Sequence, residues 1–229
     1  GGKPVYGVYS TFVQRTYDQL QQDLCINNNP ITILTFAASV WGMNDVTHLG
    51  IYDIPMMSNI PNLVYLAPTT YEEYIAMLDW STEQREHPVA IRVPGAVIHG
   101  EKPTKDYGIL NKYETVQKGS GAAIIALGTF FGMGKQAAEL IEKKTGVKPT
   151  LINPVYITGI DEELLESLKK DHKAVVTLED GILDGGFGEK IARFYGDSDM
   201  RTVNFGLKKE FLDRYDANEV LRQNGITPE

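Results

Sequence analysis

Short apolar runs alternate with helix-forming patterns along the whole chain, and this alternation restricts the possible folds more than any other feature. The apolar runs predict strands at 5–9, 31–36, 63–67, 89–93, 113–116, 122–127, 150–152, 174–178 and 202–205. Helical spacing, N-cap residues and Gly-rich turns predict helices at 13–25, 71–84, 132–144, 161–170, 186–195 and 217–223. Such alternation predicts an α/β protein with mostly parallel sheets that are covered on both faces.

A segment between the fourth and fifth predicted strands contains Pro, Gly and mixed polar residues without periodicity. We interpret residues 95–112 as a linker between two domains, which comprise residues 1–94 and 113–229. The chain has 229 residues, which is enough for two domains of ordinary size.

The composition argues against nucleic acids and membranes as binding partners. The formal net charge is −8, which argues against nucleic acid because nucleic-acid binding needs a basic face. No apolar run of about 18 residues is present, so neither a membrane span nor a membrane partner is predicted. The single cysteine, Cys25, lies on the apolar side of a helical pattern and is interpreted as a buried structural thiol. A cytoplasmic location is expected, because one cysteine cannot form an internal disulfide.

The first two predicted strands end in side chains that are able to bind a ligand. Tyr9 ends the first strand, Phe12 and Arg15 follow it, and His48 lies in segment 37–53 after the second strand. Parallel strands end at one edge of their sheet, where α/β proteins form ligand sites. An aromatic ring there can stack on a flat heteroaromatic molecule. The residues alone also fit a simpler interpretation, in which Phe12 is core, Arg15 an exposed charge and His48 a surface or capping residue.

Residues 9–19 read YSTFVQRTYDQ, and this segment resembles YSTFLQRAYDQ of the 1-deoxy-D-xylulose-5-phosphate synthases, from which it differs at two positions. These enzymes belong to the transketolase superfamily of thiamine-diphosphate enzymes. The resemblance implies that Phe12 stacks on the aminopyrimidine ring of the cofactor, that Arg15 lies beside this ring and that Tyr9 faces the substrate. It also implies a pyrimidine-binding domain, without its N-terminal part, followed by a transketolase C-terminal domain.

The segment around His48 resembles the family motif G-x-D-G-x-T-H-x-G-x-F-D, with Tyr52 in place of Phe. The matching residues are Gly42, Thr47, His48, Gly50 and Asp53. The resemblance implies that His48 is the active-site imidazole, which contacts the substrate or transfers a proton. Histidine suits this role because small changes in its surroundings move its pKa across neutrality.

The sequence departs from the family pattern at positions expected to contact the substrate. Ala37 and Gly95 stand where the family has the arginines of D-R-A-G and, after Pro, of R-Y-P-R-G. Each charge-assisted arginine contact contributes about 1.5–3 kcal/mol, so a phosphorylated aldehyde loses favourable contacts here. Asn44, Asp45 and Arg92 remain as the expected substrate-binding residues. Two alternatives follow. The site accepts a different aldehyde, or other cations bind the phosphate.

A Gly-rich segment in the C-terminal half, EDGILDGGFG at 179–188, resembles E-E-x-x-x-x-G-G-F-G of the same family. A helix N-terminus after such a turn can bind an anion. We favour a structural strand-to-helix turn, and we do not assign a dinucleotide site, because the G-x-G-x-x-G spacing is missing.

Thiamine-diphosphate catalysis in this family requires parts that the sequence does not contain. No G-D-G…N segment for Mg²⁺ and diphosphate is present, so no metal ligand is assigned, and the activating glutamate is expected upstream of the first strand. The chain opens with Gly-Gly-Lys-Pro and enters a buried-type strand almost at once. We therefore expect the C-terminal portion of an enzyme. The N-terminal part of the same protein, or a partner subunit, is expected to bind Mg²⁺ and the diphosphate of thiamine diphosphate.

The expected function is that of a transferase similar to 1-deoxy-D-xylulose-5-phosphate synthase, which condenses pyruvate with glyceraldehyde 3-phosphate and releases CO2. The expected partners are small-molecule substrates (a 2-oxo acid and an aldehyde or sugar phosphate) and a second copy in a homodimer. One alternative is a transketolase or an oxo-acid dehydrogenase β-like subunit with a separate N-terminal chain. Another is a non-catalytic paralogue that keeps the scaffold.

Overall fold

A computed structural model describes residues 1–227, which form two sheets flanked by helices. The strands are β1 (Val5–Tyr9), β2 (Ile31–Ala38), β3 (Val64–Leu66), β4 (Pro88–Pro94), β5 (Glu114–Gln117), β6 (Gly121–Ala126), β7 (Thr150–Asn153), β8 (His172–Ile182) and β9 (Arg201–Leu207). The α-helices are α1 (Tyr17–Gln19), α2 (Asp53–Met57), α3 (Tyr71–Glu83), α4 (Phe131–Thr145), α5 (Glu162–Leu168), α6 (Phe187–Tyr195) and α7 (Ala217–Gln223). The predicted α/β class with mostly parallel sheets is confirmed.

The first sheet has four strands in the order β1-β2-β4-β3, and all of its pairings are parallel. β1 lies at its edge and is mostly exposed, with Val5 at 49%, so the expectation of a buried-type first strand is wrong. The predicted first helix is a 3-10 turn (Val13–Thr16), then α1, then a π-helical turn (Leu20–Cys25). Its apolar side is buried in the core, as the spacing predicts.

The second sheet has five strands in the order β5-β7-β6-β8-β9. Four of these strands are parallel, whereas β5 pairs antiparallel with β7. The longest helix, α4, has 15 residues and ends at Gly146, whose φ of 72° lies in the left-handed region that glycine adopts most readily. Across residues 1–227, no helix is both long enough and apolar enough to cross a membrane.

β3 connects the two sheets through backbone hydrogen bonds to the segment after β7. The Ala67 amide donates to the Val155 carbonyl at 2.8 Å, and the Ile157 amide donates to the Tyr65 carbonyl at 2.7 Å. These bonds continue the edge of the first sheet into the second domain. The two sheets are therefore joined by backbone hydrogen bonds.

Candidate active site

The carboxyl ends of β1 and β2 hold three rings, Tyr9, Phe12 and His48, which we call the aromatic cluster. Tyr9 ends β1, Phe12 lies in the turn after it, and His48 comes from the loop after β2. The ring centroid of His48 lies 4.9 Å from that of Phe12 and 5.9 Å from that of Tyr9. The Tyr9 and Phe12 centroids are 6.1 Å apart. His48 thus meets Tyr9 and Phe12 at one sheet edge, although it lies at least 36 positions away from both in sequence.

Arg15 extends this cluster. Its guanidinium carbon lies 5.1 Å from the centroid of the Phe12 ring, within the range of a cation–π contact. The structure therefore brings together four of the predicted site residues: Tyr9, Phe12, Arg15 and His48. Binding of a cofactor by these residues stays a prediction.

Hydrogen bonds from Asp45 and Thr47 orient the imidazole of His48. The Asp45 carboxylate accepts the Thr47 amide at 2.8 Å and also accepts the Thr47 hydroxyl, and these bonds lower the pKa of Asp45. Because that hydroxyl donates to a carboxylate, it accepts from His48 Nδ1, 2.8 Å away. In the neutral imidazole, Nε2 then carries the lone pair. Within residues 1–227, Nε2 makes no protein hydrogen bond, so it is the nitrogen that can act on a ligand.

The loop that carries His48 begins with two residues in the left-handed region, Ala37 at φ 53° and Ser39 at φ 80°. The Ser39 amide donates to the Gly50 carbonyl at 2.8 Å, which closes the loop. A Cβ atom at Gly50 would lie 2.2 Å from the Ala37 carbonyl oxygen, so this position requires glycine. The Ser39 hydroxyl is buried and has no hydrogen-bond partner among the described residues.

Residues 210–215 of the second domain cross over the same loop, and we call them the strap. The Tyr215 hydroxyl donates to the carbonyls of Val40, at 3.0 Å, and Met43, at 3.2 Å. The Asn44 side chain donates to the Tyr215 carbonyl at 3.4 Å. The amide of Asn44 thus contacts the strap in this structure, and contacts of Asn44 and Asp45 with substrate stay predictions.

Arg92 lies inside the protein, with 3% of its side chain exposed. Its Nε donates to Asp53 at 2.7 Å, and another of its nitrogens donates to Asp180. A third donor reaches the Gly50 carbonyl at 3.3 Å. Burial alone lowers the pKa of Arg92, but the carboxylates of Asp180 and Asp53 outweigh burial and raise it. This geometry favours a structural role for Arg92, and its contact with substrate stays a prediction.

The hydrogen-bond network around Arg92 spans both domains. The Tyr65 hydroxyl donates to Asp53, and the Thr129 hydroxyl donates to Asp180 at 2.9 Å. Sequence reasoning assigned no role to Asp53, Asp180 or Thr129. The sequence does contain a signal for Asp53 and Asp180. Each carboxylate lies within an apolar run, I-Y-D-I or L-E-D-G-I, and a carboxylate in such a run is typical of a buried ion pair.

Glu179, next to Asp180, is fully buried and caps α6. Its two carboxylate oxygens accept the amides of Phe187 and Gly188, each at 2.8 Å. Burial raises the pKa of Glu179 to about 7 although these bonds oppose the shift. The amides at this helix start are therefore satisfied within the chain, as expected for a structural turn.

Two further predictions concern Cys25 and metal ligands. Cys25 is 2% exposed, and burial raises the pKa of its thiol to about 11, which fits a structural thiol. Within residues 1–227, no three His, Cys, Asp or Glu side chains are grouped so that they could hold a metal ion.

Known proteins resemble the chain along its whole length. The 1-deoxy-D-xylulose-5-phosphate synthase of Clostridium tetani is 34% identical over 100% of the chain, and that of Clostridium perfringens strain SM101 is 36% identical. The chain spans 37% of the length of each of these relatives.

Two solved structures share the fold. A split-gene transketolase, described as an inactive beta4 tetramer, superposes with a TM-score of 0.82 at 22% identity over 100% of this chain and 73% of its own. A transketolase from Pichia stipitis gives a TM-score of 0.78 at 18% identity over 99% of this chain and 32% of its own.

Two family models match the chain one after the other. The pyrimidine-binding domain of transketolase matches residues 1–97, and the transketolase C-terminal domain matches residues 111–229. Together they account for both sheets described above. The chain therefore belongs to the transketolase family of thiamine-diphosphate-dependent transferases.

Proposed function

We propose that this chain is the C-terminal portion of an enzyme similar to 1-deoxy-D-xylulose-5-phosphate synthase, which joins pyruvate to an aldehyde with loss of CO2. The curated relatives at 34–36% identity carry that name, which supports the assignment. The resemblance implies glyceraldehyde 3-phosphate as the aldehyde. Because Ala37 and Gly95 replace the two expected arginines, the proposal covers the aldehyde as a class.

The observation that carries the proposal is the meeting of Phe12, Arg15 and His48 at the carboxyl edge of the first sheet. A half-exposed phenyl ring next to a guanidinium fits the aminopyrimidine of thiamine diphosphate, since both groups stack on flat heteroaromatic rings. Phe12 and Arg15 would hold this ring. When bound, the cofactor stabilises negative charge on the carbon that loses CO2.

His48 performs the proton transfer in this proposal. Its Nδ1–H is held by Thr47, so Nε2 can take up a proton from water and donate it to the aldehyde oxygen as the new C–C bond forms. Tyr9, 5.9 Å from His48 between ring centroids, lines the same space and contacts the substrate. The predicted substrate contacts of Asn44 and Asp45 lie in the same loop.

The Mg²⁺ and diphosphate sites are assigned to a part outside this chain. Within residues 1–227 no three His, Cys, Asp or Glu side chains are grouped to hold a metal ion, whereas Phe12 and Arg15, the proposed stacking residues, lie together. That part is either the N-terminal region of the same protein or a separate chain, in an assembly that we propose to be dimeric. The similarity to a split-gene transketolase, of which this chain covers 73%, is the reason to keep a separate chain as the second of these two possibilities.

The test is CO2 release from pyruvate by the intact protein together with its N-terminal part. His48→Gln is expected to lower kcat on the order of 100-fold, because a positioned acid–base contributes about 10²–10⁴-fold. His87→Gln is the matched control, since His87 lies outside the aromatic cluster. Equal rates for both variants would overturn the role of His48.

A thermal-shift measurement separates the enzyme from a non-catalytic paralogue. Thiamine diphosphate with Mg²⁺ at about 100 times its dissociation constant stabilises a binding protein by about 2.7 kcal/mol. Phe12→Leu keeps an apolar side chain but removes the ring, and it is expected to reduce this shift. The absence of any shift in the unsubstituted protein would favour the paralogue.

A further inference from the structure

A cavity of about 200 Å³ opens between the first sheet, α3 and the linker. The side chains that give it its apolar surface are Phe36, Tyr71, Tyr74, Val93, Val97 and Ile98. Ligand cavities are mostly apolar with few polar groups, and a cavity of this size accepts a small molecule or a part of one.

The cavity lies at the same carboxyl edge of the first sheet as the aromatic cluster. Phe36, which lines it, is the direct strand partner of Tyr9 in the β1–β2 pairing. Gly95 lies between the lining residues Val93 and Ala96, so the cavity is next to the catalytic edge of the sheet. A ligand that spans this edge of the sheet would therefore contact both the cluster and the cavity.

The threonine hydroxyl groups that line the cavity already have partners in the protein. The Thr69 hydroxyl donates to the buried Glu73 carboxylate at 2.8 Å, and the Thr70 hydroxyl accepts the Glu73 amide at 3.1 Å. The Thr129 hydroxyl donates to Asp180 at 2.9 Å. Among the described residues, no lysine or arginine lines the cavity. An anionic group such as phosphate would thus lose its hydration without gaining a cation, which is unfavourable.

The outer wall of the cavity is tied to α3. The Tyr71 amide donates to the Ile98 carbonyl at 2.7 Å, and the Gly100 amide donates to the Glu72 carboxylate at 2.8 Å. His99 lies 2.9 Å from the other oxygen of Glu72. The cavity is therefore bounded on its linker side by hydrogen-bonded backbone.

We propose that this cavity binds the hydrocarbon group of an uncharged aldehyde that accepts the two-carbon acetyl unit of pyruvate. This inference rests on the proposed function and names its second substrate class. The bond between C2 of pyruvate and its carboxylate breaks to release CO2, and a bond forms between C2 and the aldehyde carbon. The aldehyde oxygen takes up one proton, so the product is an uncharged 3-hydroxy-2-ketone and no oxidant is needed.

The test compares acceptors with the intact, cofactor-loaded protein. Each buried methylene contributes about fourfold in affinity, so 3-methylbutanal is expected to exceed acetaldehyde in kcat/KM by at least about tenfold. Glyceraldehyde 3-phosphate is expected to be the poorest of the three. A preference for glyceraldehyde 3-phosphate would overturn the proposal.

Variants locate the effect in the cavity. Ala96→Phe fills it, and Val93→Thr adds a hydroxyl without changing the shape, so both are expected to reduce the preference for 3-methylbutanal over acetaldehyde severalfold. Val116→Phe is the matched control, because Val116 is 53% exposed on β5 in the other sheet. An unchanged preference in both cavity variants would overturn the proposal.

A binding measurement separates this inference from the proposed function. Saturation-transfer NMR with 3-methylbutan-1-ol, which does not react, is expected to report binding that Ala96→Phe abolishes and Val116→Phe retains. That result without turnover of any aldehyde would support the cavity as an apolar site and overturn the proposed function. No binding of the alcohol to the unsubstituted protein would overturn the cavity assignment.

Discussion

Arg92 donates a charge-assisted hydrogen bond to Asp180, and this single contact links β4 of the first sheet to β8 of the second. The two side chains are 3% and 0% exposed. When one member of a buried ion pair is removed, the other remains charged, desolvated and uncompensated. The contact is therefore more sensitive to substitution than any ion pair at the surface.

Asp180→Asn is expected to destabilise the protein by about 3–5 kcal/mol, because Arg92 then keeps only one of its two carboxylates. The free energy of unfolding in urea measures the effect. Asp184→Asn is the control, since the Asp184 side chain is 55% exposed and pairs with Lys209 on the surface. A similar, small change in both variants would contradict the importance of the buried contact.

Ser39→Gly is expected to stabilise the protein by about 1 kcal/mol. Its φ of 80° favours glycine, and its buried hydroxyl has no partner among the described residues. Ser39→Ala removes the hydroxyl but keeps the backbone strain, so the difference between the two variants isolates the backbone contribution. The melting temperature in differential scanning calorimetry is the measurement. A Ser39→Gly protein that melts below the Ser39→Ala protein would contradict the strain argument.

Glu179 is expected to make stability depend on pH near neutrality. Its pKa is about 7 in the folded state, against 4.5 for a free glutamate, so the folded protein retains a proton that the unfolded chain releases. The contribution of Glu179 is therefore fully present below pH 4.5 and decreases as the pH rises through 7.

Urea unfolding at pH 5.5 and at pH 8 tests this expectation. Glu179→Gln is expected to flatten the decrease in unfolding free energy between the two pH values, because the amide does not titrate. Glu163→Gln is the control, with a side chain that is 85% exposed. Parallel pH profiles for the unsubstituted and Glu179→Gln proteins would exclude Glu179 as the source.

Tyr215→Phe is expected to loosen the loop that carries His48. The substitution removes the hydroxyl that donates to the Val40 and Met43 carbonyls, with a net cost of about 1 kcal/mol. Faster amide hydrogen exchange in residues 40–48 measures the effect. Tyr6→Phe, on the exposed edge strand, leaves this loop untouched and serves as the control. Unchanged exchange in Tyr215→Phe would show that the strap does not restrain the loop.

Local patterns in the sequence predicted most of the elements. Each predicted strand is present, and α3 begins at Tyr71 as predicted, with Thr70 as its N-cap, because apolar periodicity and capping depend on neighbouring residues. The helix α2 and the antiparallel direction of β5 were not predicted. The direction of β5 depends on its pairing with β7, which comes much later in sequence, and α2 packs against β8 of the second sheet, so neither follows from local preference.

The aromatic cluster could be anticipated because Tyr9 and Phe12 lie directly after a strand that ends at a sheet edge. The contacts of Arg92 could not, since its partners lie 39 and 88 positions away in sequence. The contacts of the strap could not be predicted either. Residues 210–215 show no periodicity, and the Tyr215 hydroxyl contacts a backbone carbonyl of the loop, which no side chain in the sequence indicates.

The buried contact between Arg92 and Asp180 also limits how the two domains can be exchanged between proteins. The predicted linker at 95–112 is a natural place for recombination, yet a division there would put Arg92 in one module and Asp180 in the other. A first domain grafted onto a foreign second domain would present a buried cation that needs an acceptor at one defined place. Either domain can therefore be combined with a new second domain only if that domain supplies the matching charged residue at this contact.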